Sequence, residues 1–289
     1  MLVNGLVDYA GLFPPAELPM EQAVRNYARY RTGDQREMLA RFVVPAARLP
    51  EFVDEASRLD LPVQSQAWPL AVLAGASDAD AIAAFNRNHI LRWHIDTIEA
   101  KATTTEDVQR LAAAFPGMTV YVELSLHNDL EKLIVAIADL HLRAKIRTGG
   151  TSPELFPPSS HVLRFLETCV QRQVAFKATA GLHHPLRGEY PLTYGPNAAL
   201  GTMYGFLNVF LVAVLLHSGH EPGALLPLLE ERDPSTITSD ANGISWRDFH
   251  VSAAQVAQAR ARFAGSFGSC SFEEPVQDLA ALSLLPSLI

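Results

Sequence analysis

The chain has 289 residues, 48% of them apolar and 19% charged, enough to bury a large core as one domain. Its formal net charge of −8, with no run of Lys or Arg, argues against a nucleic-acid surface, because gripping phosphates takes clustered cations. The two cysteines, Cys169 and Cys270, make neither a disulfide framework nor a paired-cysteine zinc signature, which points to a reducing compartment.

The amino-terminal stretch MLVNGLVDYAGLFPP has no basic segment and puts Asp8 among its apolar residues, so no secretory leader is expected and a cytoplasmic location is. From there, short β-branched apolar runs alternate with longer segments of helical period, the pattern of βα units that build a parallel sheet. The runs are GLVDYAGLF (5–13), LARFVVPA (39–46), PLAVLAG (69–75), ILRWHIDTI (90–98), MTVYVELSL (118–126), RAKIRTGG (143–150), VAFKATAG (174–181) and GSFGSCSF (265–272). Helical segments include 20–31, 104–115 and 161–173, and Ser77-Asp78, Thr103 to Thr105 and Ser159-Ser160 stand where N-caps belong. This order predicts an α/β chain folded as a single (β/α)8 (TIM) barrel over 1–289.

Regularity breaks after Gly181, where roughly 80 residues precede the eighth run although a plain barrel needs about 30. An insertion is therefore expected at 186–262. It contains an apolar helix at 203–216, too short for a bilayer and interrupted by Asn208, and a turn-rich SDANG stretch (239–243) suited to a hairpin. We expect this insertion to cover the barrel mouth, with outward packing or a part in oligomer formation as the alternative, and no membrane contact.

In such a barrel, side chains at the carboxyl ends of the strands face the active site, and alternate residues share a face. The fourth run then pairs His94 with Asp96, the fifth Glu123 with Ser125 and His127, the sixth Lys145 with Arg147, and the seventh Lys177 with Thr179. His183 and His184 follow in the next loop. Charge at this density in strands buried on both faces points to catalysis. Two neighbouring lysines should lower each other's pKa, leaving a neutral amine able to attack a carbonyl and form a Schiff base. Asp96 is the favoured acid/base group, with Glu123 beside it.

The succession RAKIRTGG, helix, VAFKATAGLHHP resembles the last strands of deoxyribose-phosphate aldolases, a metal-independent class I aldolase family. The resemblance covers mainly 90–181 and 263–285. It implies a lyase in which Lys145, in KIRTGG, forms the Schiff base and Lys177, in FKATAG, tunes it. Val122-Glu123-Leu124-Ser125 echoes the strand-five motif of that family, Asp96 falls at its strand-four acid, and Phe267 to Ser271 echo its phosphate loop. Arg147 departs from the pattern, standing where the family has a small hydroxyl residue, and so do the HHP sequence and the long insertion, so a different small carbonyl substrate is implied, with aldol cleavage or another imine-dependent step such as dehydration, decarboxylation or isomerisation. Arg147 suits a carboxylate or phosphate. Gly268, Ser269 and Ser271 suit an anion at a helix start, and Asp8, Thr148, Thr179, His183 and His184 complete the expected substrate contacts.

Two other accounts stand beside this one. His94, Asp96, Glu123, His127, His183 and His184 could hold Zn²⁺ or Mn²⁺ in a metal-dependent lyase, isomerase or hydrolase, although Asp8-Tyr9 replaces the paired histidines such barrels often carry on strand one. Alternatively the barrel binds a ligand without turning it over, and the lysines only join a salt-bridge network. No cofactor is expected, and a homo-oligomer is expected only because symmetric association is common.

Overall fold

Eight parallel strands close into a barrel in the computed structural model, which describes residues 1–59, 67–127, 129–284 and 288. Seven of them precede the insertion: β1 (Val7–Tyr9), β2 (Leu39–Pro45), β3 (Trp68–Leu73), β4 (Trp93–Lys101), β5 (Thr119–Glu123), β6 (Arg143–Arg147) and β7 (Phe176–Thr179). Six helices return the chain between them: α1 (Met20–Thr32), α2 (Leu49–Ser57), α3 (Ala79–His89), α4 (Thr105–Ala114), α5 (Leu130–Asp139) and α6 (Ser159–Gln171). The predicted (β/α)8 barrel is the observed one. Leu285, at the end of the region that resembles the aldolases, lies outside the described residues.

Outward-facing aliphatic residues such as Val44, Val72, Ile98, Val122 and Ile146 are all buried against the helices, the side from which a βα barrel draws its hydrophobic stabilisation. Helix starts agree in part with the N-caps expected. Thr104 Oγ1 accepts the Asp107 N–H, and the Asp107 carboxylate returns a bond to the Thr104 N–H, a capping box. At α3 the Asp78 carboxylate instead accepts the N–H of Gly75, one short helical turn earlier. Ser159 already lies within α6, and its Oγ accepts from the Tyr204 hydroxyl.

The insertion divides into three parts. First comes a hairpin of β8 (Gly188–Pro191) and β9 (Leu200–Met203). Next, α7 (Phe206–His217) and α8 (Pro222–Leu229) pack on each other and on α6, with α7 also against the barrel wall. Every residue of α7 from Phe206 to Leu216 is buried, which is why its sequence is apolar all round rather than along one stripe. Asn208, the polar interruption, is fully satisfied: its amide donates to the carbonyls of Leu228 and Glu231, and its Oδ1 accepts the Arg187 N–H. Third is an antiparallel sheet of β10 (Ile237–Asp240), β11 (Gly243–Trp246) and β12 (Phe249–Ser252), whose first turn is the hairpin predicted at SDANG. It packs on α7 and on α9 (Ala253–Arg262). The last barrel strand, β13 (Ala264–Ser269), and α10 (Glu273–Ala281) close the fold. Of the insertion, only the hairpin region reaches the barrel mouth, through Leu192 and Met203; α7 belongs to the outer helical layer. No helix among the described residues is long and apolar enough to cross a membrane.

Candidate active site

A cavity of about 270 Å³ opens at the carboxyl ends of the strands, the face where barrels of this architecture place their chemistry. Its floor is ionic. Lys101, Glu123, Lys145 and Lys177 are in-register partners across β4, β5, β6 and β7. Their side chains meet Asp8 and Glu99 to form a chain of alternating charge. Lys177 Nζ donates to Asp8 Oδ2 at 2.6 Å and to Glu99 Oε1. Lys145 Nζ stands 2.8 Å from Glu99 Oε2 and 2.8 Å from Glu123 Oε2. Asp8 also accepts the Arg41 backbone N–H at 2.9 Å and the Ser266 hydroxyl. Each buried charge therefore has opposite charge beside it, the condition under which such groups remain ionised.

The two lysines differ in access. Lys145 lines the cavity, whereas Lys177 is wholly buried beneath it and is not among the lining residues. The expected mutual lowering of pKa is corrected for Lys177. Burial pulls its pKa down, but the Asp8 and Glu99 carboxylates outweigh burial and hold it above the ordinary lysine value. Burial alone would raise Glu99, yet Lys145 and Lys177 bring its pKa down to about 2. Glu123 is lowered in the same way, with burial opposed by Lys145, Arg147 and Lys101.

Glu99 was not among the expected site residues, and Asp96 was. The reason is a β-bulge: Leu70 pairs with Ile95 but Ala71 with Thr97, so Asp96 is an extra residue in β4. A one-residue bulge reverses the inward parity of everything after it. Thr97, Glu99 and Lys101 thus share the inner face. Asp96 instead forms a bidentate pair with Arg41, at 2.6 and 2.9 Å, and does not line the cavity. The alternation Thr97-Ile98-Glu99-Ala100-Lys101 was the signal available in the sequence.

Arg147, Thr179, His183 and Gly268 line the cavity as expected. His183 Nδ1 is 2.8 Å from Glu274 Oε2, which also accepts the Tyr194 hydroxyl at 3.0 Å. This fixes the ring at the cavity wall. Five other expected contacts have internal partners and lie outside the lining. Thr148 Oγ1 donates to the Ala180 carbonyl at 2.7 Å, anchoring a non-glycine residue at φ +63° beside Gly181 at φ +72°. His184 stacks on Tyr190 at 3.6 Å and pairs with Asp278. Ser269 Oγ accepts the Ser271 N–H, and Ser271 Oγ accepts the Glu274 N–H. Asp8 lies under the floor with Lys177.

The histidines and carboxylates proposed for a metal do not converge. Among the described residues no group of three or more His, Cys, Asp or Glu side chains is placed to hold an ion. His127 packs edge-on against His161, and lysines separate Asp8, Glu99 and Glu123 from one another. Cys270 lines the cavity, but burial pushes its thiol up to about 11, unsuited to a nucleophile. Compared with protein-family models and with curated proteins, the chain matches none.

Proposed function

We propose that the chain is a class I lyase in which Lys145 forms a Schiff base with a small carbonyl substrate. The carrying observation is the placement of Lys145: a buried amine at the cavity floor, between two carboxylates, with a second lysine behind it. Barrels of this architecture are commonly enzymes, and the resemblance of KIRTGG and FKATAG to the aldolase strands supports the same assignment.

The chemistry follows from charge conservation. An ammonium and a carbonyl give a protonated imine and one water, so a single positive charge stands between Glu99 and Glu123 before and after. The attacking amine is generated by passing one proton to Glu123. Nitrogen then bonds to the carbonyl carbon and Glu123 returns the proton to the oxygen; a second proton, taken by Glu123 from the nitrogen, passes to the same oxygen, and the C–O bond breaks as water leaves the iminium with its one N–H. As the β-hydroxyl gives its proton to Glu123 and its fragment leaves as a carbonyl compound, the C–C bond breaks, its electron pair moves toward the iminium nitrogen and an enamine remains, which is protonated at carbon on release. Glu99, held ionised at about 2, serves as the constant counter-ion. Lys177 keeps it in place.

The test is borohydride reduction of the protein with a panel of small aldehydes and keto acids, followed by intact-mass and peptide mapping. A reduced adduct on Lys145, absent in Lys145→Ala, is the expected result. An adduct elsewhere, or none with any carbonyl, removes the Schiff-base reading.

A further inference from the structure

We propose that the substrate is a 2-oxo acid, with Lys101 and Arg147 holding the carboxylate beside the reacting carbon; this rests on the Schiff-base role of Lys145. Both cations line the cavity. Their one acidic neighbour among the described residues is Glu123 Oε1, at 3.8 Å from Lys101 Nζ and 3.6 Å from Arg147 Nε. Neither distance is a hydrogen bond, and the other Glu123 oxygen is engaged by Lys145. Two cations thus share one oxygen at long range, with their donors open to the cavity.

The cavity also has a cationic excess. Its lining contains Lys101, Lys145 and Arg147 against Glu99 and Glu123, on a chain of net charge −8. A concave site of that sign concentrates anions. Placement fixes which part of the substrate is anionic. Arg147 follows Lys145 by two residues on β6, and Lys101 is in register with Glu123 beside it, so both stand next to the Lys145–Glu123 pair on which the imine would form.

Away from these ionic groups the lining is largely apolar, with Phe13, Leu155, Leu192 and Met203 in it. The turn after β13 is followed by Glu273 and Glu274 in the first turn of α10, two carboxylates that repel a phosphate there. A carboxylate next to the carbonyl and an uncharged remainder is the combination that fits.

The experiment traps the protein with pyruvate, 2-oxobutyrate, acetaldehyde and glycolaldehyde phosphate under borohydride, and measures pyruvate binding by calorimetry without reductant. Wild type is compared with Lys101→Met and Arg147→Met, whose exposed side chains leave the fold unchanged by circular dichroism. We expect the oxo acids to label Lys145 at the lowest concentrations. Each variant should raise the half-saturating pyruvate concentration by about tenfold or more, a larger factor than its change in acetaldehyde labelling, which reports the altered charge around Glu123 alone. Equal labelling by acetaldehyde, preference for the phosphate, or variants without effect on pyruvate would overturn the proposal. Pyruvate binding weakened by both variants but with no adduct would uphold the carboxylate site and remove the Schiff base; neither adduct nor binding would remove both.

Discussion

Replacing Lys177 with Met tests whether the buried charge chain holds the barrel together. Lys177 is 0% exposed and is the one ammonium bridging Asp8 and Glu99 among the described residues. In Lys177→Met, Glu99 keeps Lys145, but Asp8 is left with a backbone N–H, the Ser266 hydroxyl and the longer-range attraction of the Arg41 and Arg260 guanidinium groups. Removing one partner of a buried pair costs roughly 3–5 kcal/mol, because the other charge is left uncompensated. That is a large share of the 5–15 kcal/mol typical of a folded chain and corresponds to a fall in Tm on the order of 10 °C. Urea unfolding of wild type, Lys177→Met, Asp8→Asn and the double variant measures it. The double variant should be less destabilised than the sum of the singles by about 1–3 kcal/mol, since both ends of one interaction are removed. A Lys177→Met protein within about 1 kcal/mol of wild type, or strict additivity, would refute the assignment of Lys177 as a buried electrostatic brace.

The same network sets limits in pH. The Glu99 pKa falls on folding from 4.5 to about 2, so its contribution, about 3 kcal/mol, is complete above pH 4.5 and is lost as the pH drops toward 2. Lys177, raised above its ordinary 10.5, stabilises fully below that value and less as the pH climbs through its folded pKa; the dependence of unfolding free energy on pH should therefore flatten below pH 4.5 in Glu99→Gln and above pH 10.5 in Lys177→Met. Asp96→Asn, at a part-exposed pair with Arg41, should cost no more than about 1 kcal/mol and leave Lys145 labelling within about twofold, whereas Glu99→Gln should reduce labelling sharply. Glu123→Gln should slow adduct formation by about 10²–10⁴-fold without preventing its eventual completion, as followed by quenched borohydride time courses.

The barrel was legible because its period is. Eight apolar runs separated by amphipathic segments leave few topologies open, and the long interval after Gly181 marked the insertion. Lys145, Lys177, Glu123, Arg147 and His183 were legible because each sits at a strand end or in the loop just beyond. Glu99 was not, since inward parity was read from His94 and Asp96 and the bulge after Ile95 reverses it. Bulges are set by how a strand meets its neighbour, which periodicity within one strand does not record. Thr148, His184, Ser269 and Ser271 had the right residue types near the mouth, but Thr148 donates to Ala180, His184 pairs with Asp278, and the oxygens of Ser269 and Ser271 accept the N–H groups of Ser271 and Glu274. Such partners come from elements distant in the chain or from turns whose geometry is fixed only on folding.

The location of Glu99 also changes the chemical argument. Two neighbouring lysines without a carboxylate between them would repel, and one would lose its proton to become the nucleophile. Glu99 is instead bonded to both, and Glu123 stands on the far side of Lys145. Under the proposed Schiff-base chemistry the same two carboxylates would face the iminium. The site would then be matched to the intermediate that must withdraw electrons, with the amine appearing only while Glu123 holds its proton, as differential stabilisation along a reaction requires. The same logic gives Lys101 and Arg147 their part: a substrate carboxylate brought next to Glu99 and Glu123 would meet two like charges, and the two rim cations offset that repulsion.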